Sequence, residues 1–148
     1  MTKPVLKFKV YIRWKKGPKT PFFWCSVWRT LPQMRAHLKQ LTEEIPPGFK
    51  KSSQEKAFAA CYSWKHTIGA KIQPEMGVLC FAMAYTGAAS IAHECAHAAF
   101  RFRERIESAQ RKRKFTEHYR EELFCSVVGE MSKQIVHRLS AHDRRKAK

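Results

Sequence analysis

The stretch that most constrains this chain is Met76–Tyr85, an unbroken apolar run in a protein of 148 residues that carries a net charge of +17. It falls far short of the ~20 residues a membrane span needs, and no longer apolar run occurs. It therefore has to be covered by the rest of the chain, and Gly77–Tyr85 reads as a buried strand. The surrounding sequence supplies the cover. From Leu6 to Trp14 apolar and polar residues alternate with period two, the pattern of a half-buried strand. Lys16-Gly17-Pro18-Lys19 is a turn signal, and the aromatic-rich Phe22–Arg29 is the natural hairpin partner. Leu31, Met34, Leu38 and Leu41 then recur at helical spacing over Leu31–Glu44, with Pro32 in the first turn and Ile45-Pro46-Pro47-Gly48 as the stop. Lys50–Lys56 is a polar connector and Ala57–Trp64 a short strand. After the buried run, Thr86–Ser90 turns into a helix over about Ala89–Ser108, with Thr86 or Ser90 as N-cap. Ala109–Phe115 is a basic linker. Thr116 caps a last helix to about Leu139, whose apolar face is Leu123, Phe124, Val127, Val128, Met131, Ile135 and Leu139. This order makes an α+β domain: a small antiparallel or mixed sheet packed on two C-terminal helices. With 44% hydrophobic residues the chain can build a real core. We read 1–148 as a single domain, divided into N-terminal strands and helix (1–76), a second part (77–139) and a basic tail (140–148).

Twenty-nine Lys and Arg against twelve Asp and Glu point to a polyanionic partner, either nucleic acid or an acidic protein. The densest basic groups, Arg111, Lys112, Arg113 and Lys114 and the tail residues Arg144 and Arg145, read as exposed segments. Trp14, Trp24, Trp28 and Trp64 read as core, with a base-stacking alternative for Trp14 and Trp28. Charged residues interrupt the N-terminal apolar pattern, so no signal peptide is expected and the chain is read as cytoplasmic. The five cysteines (Cys25, Cys61, Cys80, Cys95, Cys125) are odd in number and form no Cys-x-x-Cys pair. They are read as reduced and mostly buried, which argues against a disulfide scaffold or a thiolate zinc knuckle. His37, His66 and His142 read as surface residues.

One motif carries chemistry. His93-Glu94-Cys95-Ala96-His97 is an HExxH sequence inside the first of the two C-terminal helices. Residues i and i+4 share a helix face, so both imidazoles can reach one metal ion. Glu94, beside the first histidine, can take a proton from a metal-bound water without itself binding the metal. It lies on an apolar helix face, where a carboxylate needs a partner of its own. Zinc needs a third protein ligand. The last helix offers Glu121, Glu122 and, four residues before Glu122, His118. Tyr119, His118, Tyr85 and His137 are candidates for stabilising a transition state.

Ile-Ala-His-Glu-Cys-Ala-His-Ala-Ala, followed by Glu-x-x-x-Ser-x-x-Gly, resembles the gluzincin zinc peptidases. The strand, turn, HExxH helix and second helix are also similar to small phage-encoded metallopeptidase-like proteins, for which the compartment would be the host cytoplasm. The resemblance spans about Gly77–Leu139. It implies a minimal zincin-like fold, a Zn2+ cofactor held by His93, His97 and Glu122, and Glu94 as general base in hydrolysis of a peptide or protein substrate. The register that places Gly129 seven residues after the glutamate selects Glu122. Ser126 stands where many gluzincins have an orienting Asp. The Gly77–Tyr85 strand would offer its edge to an extended peptide. His118 as third ligand would instead resemble the SprT-like DNA-associated proteases. A further alternative is a non-catalytic, zinc-containing phage-type protein that binds nucleic acid or acts as an inhibitor.

Overall fold

A computed structural model describes residues 3–13, 20–43, 58–63, 74–110 and 114–147. The elements are β1 (Leu6–Tyr11), β2 (Phe22–Trp28), α1 (Leu31–Glu43), β3 (Ala59–Ser63), β4 (Glu75–Ala82), a 3-10 turn (Met83–Tyr85), α2 (Ala88–Ala109) and α3 (Glu117–Lys146). The fold is α+β, as the periodicities require. The expected turn at Lys16–Lys19, the helix stop at 45–48, the connector at 50–56, Trp14, His66 and Arg111–Arg113 lie outside the described residues.

The four strands form one mixed sheet in the order β1-β2-β4-β3. β1 and β2 are the expected antiparallel hairpin, with Phe8 opposite Cys25 and Val10 opposite Phe23. β4 is central: it runs parallel to β2 and antiparallel to β3, and every residue from Met76 to Ala82 is buried. A strand apolar on both sides of its pleat is stable only with cover on both faces. α2 and α3 provide it on one face, packing Ile91, Cys95, Phe102, Met131 and Ile135 against Phe23, Cys25, Leu79 and Phe81. α1 provides it on the other, where Met34 and Leu38 meet Trp28, Val78, Cys80 and Ala82. Because β2 and β3 come from the first 76 residues and β4 from the next segment, both parts of the chain build the same sheet.

Three sequence expectations need correction. β4 has neighbours on both sides, so it offers no edge to a peptide; among the described residues the outer strands are β1 and β3. The N-cap of α2 is Gly87, without a side-chain cap, while the Thr86 hydroxyl donates to Met83 O and closes the 3-10 turn. α3 continues past Leu139 to Lys146, so Arg144, Arg145 and Lys146 form a helical last turn, where cations suit the carbonyl end of the helix dipole. Thr116 does cap α3, its Oγ1 accepting from Tyr119 N at 3.1 Å.

β4 enters the sheet through a bulge. Phe22 pairs with Glu75 and Phe23 with Gly77, leaving Met76 as the extra residue. Gly77 has φ +153°, and an added Cβ would run into the Tyr62 carbonyl of β3. Gly77→Ala should therefore cost about 2 kcal/mol or more in chemical denaturation, combining backbone strain with overpacking. Thr116→Ala should cost about 1 kcal/mol, the usual value of a helix N-cap.

Candidate metal and acid–base site

The site lies along α2, one turn wide. Ile91, Glu94, Cys95, Ala98, Ala99, Phe102 and Ile106 form the buried stripe of this helix. His93 and His97 sit just beside it and are exposed. Their i, i+4 spacing brings the rings edge to face, with centroids 4.7 Å apart. The two Nε2 atoms face each other at 3.1 Å. Two nitrogens bound to one tetrahedral zinc at ordinary Zn–N length stand about 3.3 Å apart. The pair thus already has nearly the separation of a two-histidine metal clasp. Without metal, one Nε2–H donates to the other ring's lone pair.

Burial, together with the positive charge of His93 and Arg101, lowers the pKa of His97. This shift favours the neutral ring, the form that binds metal. Glu94 is 6% exposed. Burial raises its pKa; the neighbouring His93 and a backbone hydrogen bond from Cys61 oppose that rise. The Cys61 bond supplies the partner that an apolar helix face demands of a carboxylate. Cys61 belongs to β3, whose other side pairs with β4. Nothing in the sequence signalled the pairing of Glu94 with Cys61, because it joins residues from two elements that only the sheet order makes neighbours.

The third ligand is where structure and sequence part. Glu122 is exposed. α2 and α3 pack antiparallel, and two pairs fix their register: Arg120 Nε donates to Glu107 at 2.9 Å, and the Ser132 hydroxyl lies beside the Cys95 thiol. Both pairs belong to the same alignment, which sets Glu122 level with Arg105. That is eight residues from His97, about 12 Å along the helix. Glu121 and His118 are exposed on the same early part of α3, farther still from the histidines by this register. Tyr119 is stacked on Phe115 at 5.2 Å. Among the described residues no group of three or more His, Cys, Asp or Glu is placed to hold a metal ion. The structure brings together His93, Glu94 and His97, and it does not bring Glu122, Glu121, His118 or Tyr119 to them.

The other singled-out residues fall as follows. Ser126 is exposed, as is His137, while Tyr85 is exposed and packs on Phe58 at 4.7 Å. Trp28 is 4% exposed, so it is core and not a base-stacking surface. His37 is half-buried against Trp28 at 4.8 Å, and His142 is also half-buried, with Nε2 enclosed and lacking a hydrogen-bond partner. The surface expected for these two histidines is therefore corrected for both. Lys114, Arg144 and Arg145 are exposed. Among the described residues no helix is long and apolar enough to cross a membrane.

Cys25, Cys80 and Cys95 are buried and Cys61 is half-buried. Burial pushes the Cys80 thiol up to about 12 and that of Cys95 to about 11, the latter partly offset by Ser132. The thiols of Cys25 and Cys61 are raised as well, again mainly by burial. Only Cys125 is exposed. In the native protein at neutral pH a thiol reagent should therefore modify one cysteine rapidly, and Cys125→Ser should abolish that fast phase. Mass spectrometry before and after unfolding checks this; fast labelling at more than one site would contradict the packing.

No protein-family model, curated protein or solved structure matches this chain. The chemistry of the site rests on its own residues.

Proposed function

We propose that the protein is a zinc-dependent hydrolase of the HExxH type, acting on a peptide or protein substrate, with His93 and His97 as metal ligands and Glu94 as general base. The observation that carries this reading is the 3.1 Å approach of the two histidine Nε2 atoms beside a buried carboxylate. Supporting it is the resemblance of the HExxH helix and its flanks to gluzincin peptidases. A zinc ion bound there would supply Lewis acidity and a water acidified to a pKa of roughly 7.

The donor set fits zinc through two histidines, half of a tetrahedral shell. Glu122, the third ligand implied by the resemblance, is seated two helical turns away and is left out of this reading. The residues present have definable tasks. His93 and His97, one helical turn apart, fix the position of the reacting centre. Glu94 receives a proton there and returns it to the leaving amine. Burial raises its pKa, which favours uptake of that proton. The Cys61 N–H holds one carboxylate oxygen in place.

Metal analysis of protein purified without added metal tests this reading together with hydrolysis of an unstructured fluorogenic protein substrate. The expected result is close to one zinc per chain, lost in His93→Ala and His97→Ala and retained in both Glu94→Gln and Glu122→Ala. Hydrolysis should fall by a factor of roughly a hundred or more in Glu94→Gln, the contribution typical of a positioned acid–base group. Absence of zinc from the wild-type protein, or full hydrolysis by Glu94→Gln, would overturn the assignment. Loss of zinc in Glu122→Ala would overturn the packing of α3 described above.

A further inference from the structure

The sheet face covered by α1 is only partly covered by it. α1 lies over β2 and β4, where Trp28, Val78, Cys80 and Ala82 are buried. Towards β1 the same face carries Lys7, Lys9 and Tyr11 from β1 and Phe22 and Trp24 from β2. The hairpin register sets Lys9 opposite Trp24 and Tyr11 opposite Phe22. The three rings form a ladder: Tyr11 to Phe22 at 5.9 Å, and Phe22 to Trp24 at 5.8 Å and nearly perpendicular. The lysines stand over these rings. Lys9 Nζ is 4.3 Å from the centre of Phe22 and 5.2 Å from that of Trp24, and Lys7 Nζ is 5.0 Å from Trp24. Lys7 is exposed, Tyr11 is 37% exposed, and Phe22, Trp24 and Lys9 are half-buried. An ordinary solvent-facing strand of a hairpin has no need of three aromatic rings.

We propose that this lysine–aromatic face of the β1–β2 hairpin binds single-stranded nucleic acid. Unpaired bases have flat π faces that stack on aromatic side chains, and the phosphates between them need cations within a few ångströms; this face supplies both. Lys7 and Lys9, on flexible stems, can leave the rings for phosphate when a base takes their place. A duplex hides its base faces in its own stack, so it would use only the lysines. An acidic protein likewise supplies anions but no flat faces for the rings. The +17 net charge of the chain adds the long-range attraction that brings a polyanion to the surface. The proposal does not depend on the zinc reading, since the face lies on the opposite side of the sheet from α2.

Fluorescence anisotropy of a labelled oligothymidylate of about 16 nucleotides, titrated with the full chain at about 50 mM salt, tests it. Binding should weaken steeply with salt. Trp24→Ala should lower affinity about five- to a hundred-fold, the range for losing one stacking platform, and Trp24→Phe should restore most of it. Lys7→Gln with Lys9→Gln should make the salt slope shallower by about two, one for each phosphate contact. A duplex of equal charge should bind more weakly, while His97→Ala should leave binding unchanged. Circular dichroism on each variant separates lost binding from lost fold. The proposal is overturned if well-folded Trp24→Ala binds as the wild type does, or if poly-glutamate competes as well as an oligonucleotide of equal charge.

Discussion

The architecture depends on sandwiching β4. Seven consecutive buried residues, Met76–Ala82, leave no polar side of the strand to face water, so the chain must supply a layer above and a layer below. The crossover from β2 supplies one, because a parallel pairing of β2 with β4 needs a long connection and α1 lies within it. The α2–α3 pair supplies the other, and in doing so carries the HExxH residues against the sheet. Leu79 and Phe81, each fully buried under α2, are worth roughly 1.5–3 kcal/mol apiece. The site is therefore positioned by the same contacts that make the fold stable.

Among the described residues, both outer strands of the sheet bond to a side chain from these helices. On the β1 edge, Gln134 of α3 accepts from Tyr11 N at 2.9 Å and donates to Tyr11 O at 2.8 Å, imitating one rung of a neighbouring strand. On the β3 edge, Glu94 of α2 accepts from Cys61 N–H. Unpaired strand edges invite unwanted pairing, and a polar side chain that satisfies one rung blunts them. The two closures differ in cost. An amide satisfies the edge without bearing charge, whereas a buried carboxylate resists ionisation.

The two faces of the sheet divide the remaining work. The α2–α3 face is largely apolar, with Glu94 buried in the α2 stripe and Arg120 bonded to Glu107 and Glu117. The opposite face is closed by α1 over β2 and β4 and carries aromatic rings with lysines towards β1. Hydrophobic cover, the histidine pair and the lysine–aromatic ladder thus occupy separate parts of a small domain.

Local pattern in the sequence was enough to fix the elements. Period-two alternation marks β1, the apolar run marks β4, and helical spacing marks α1, α2 and α3, because each pattern reports which side of a short segment meets the core. The i, i+4 geometry of His93 and His97 was equally legible, since a single helix sets it. What required the tertiary structure was every relation between elements. β4, not β3, is central because its residues are apolar on both faces, and sequence order says nothing of strand order. Glu122 stands apart from His97 because the packing of Cys95 on Ser132 and the Glu107–Arg120 pair fix the register of α3 on α2, and a motif read along the chain holds no information about that register. Glu94 gains its partner only where α2 crosses the edge of β3, and Trp24 joins Lys9 only through the hairpin pairing. Those distances are set by packing between segments, a property of the whole core rather than of any one stretch of residues.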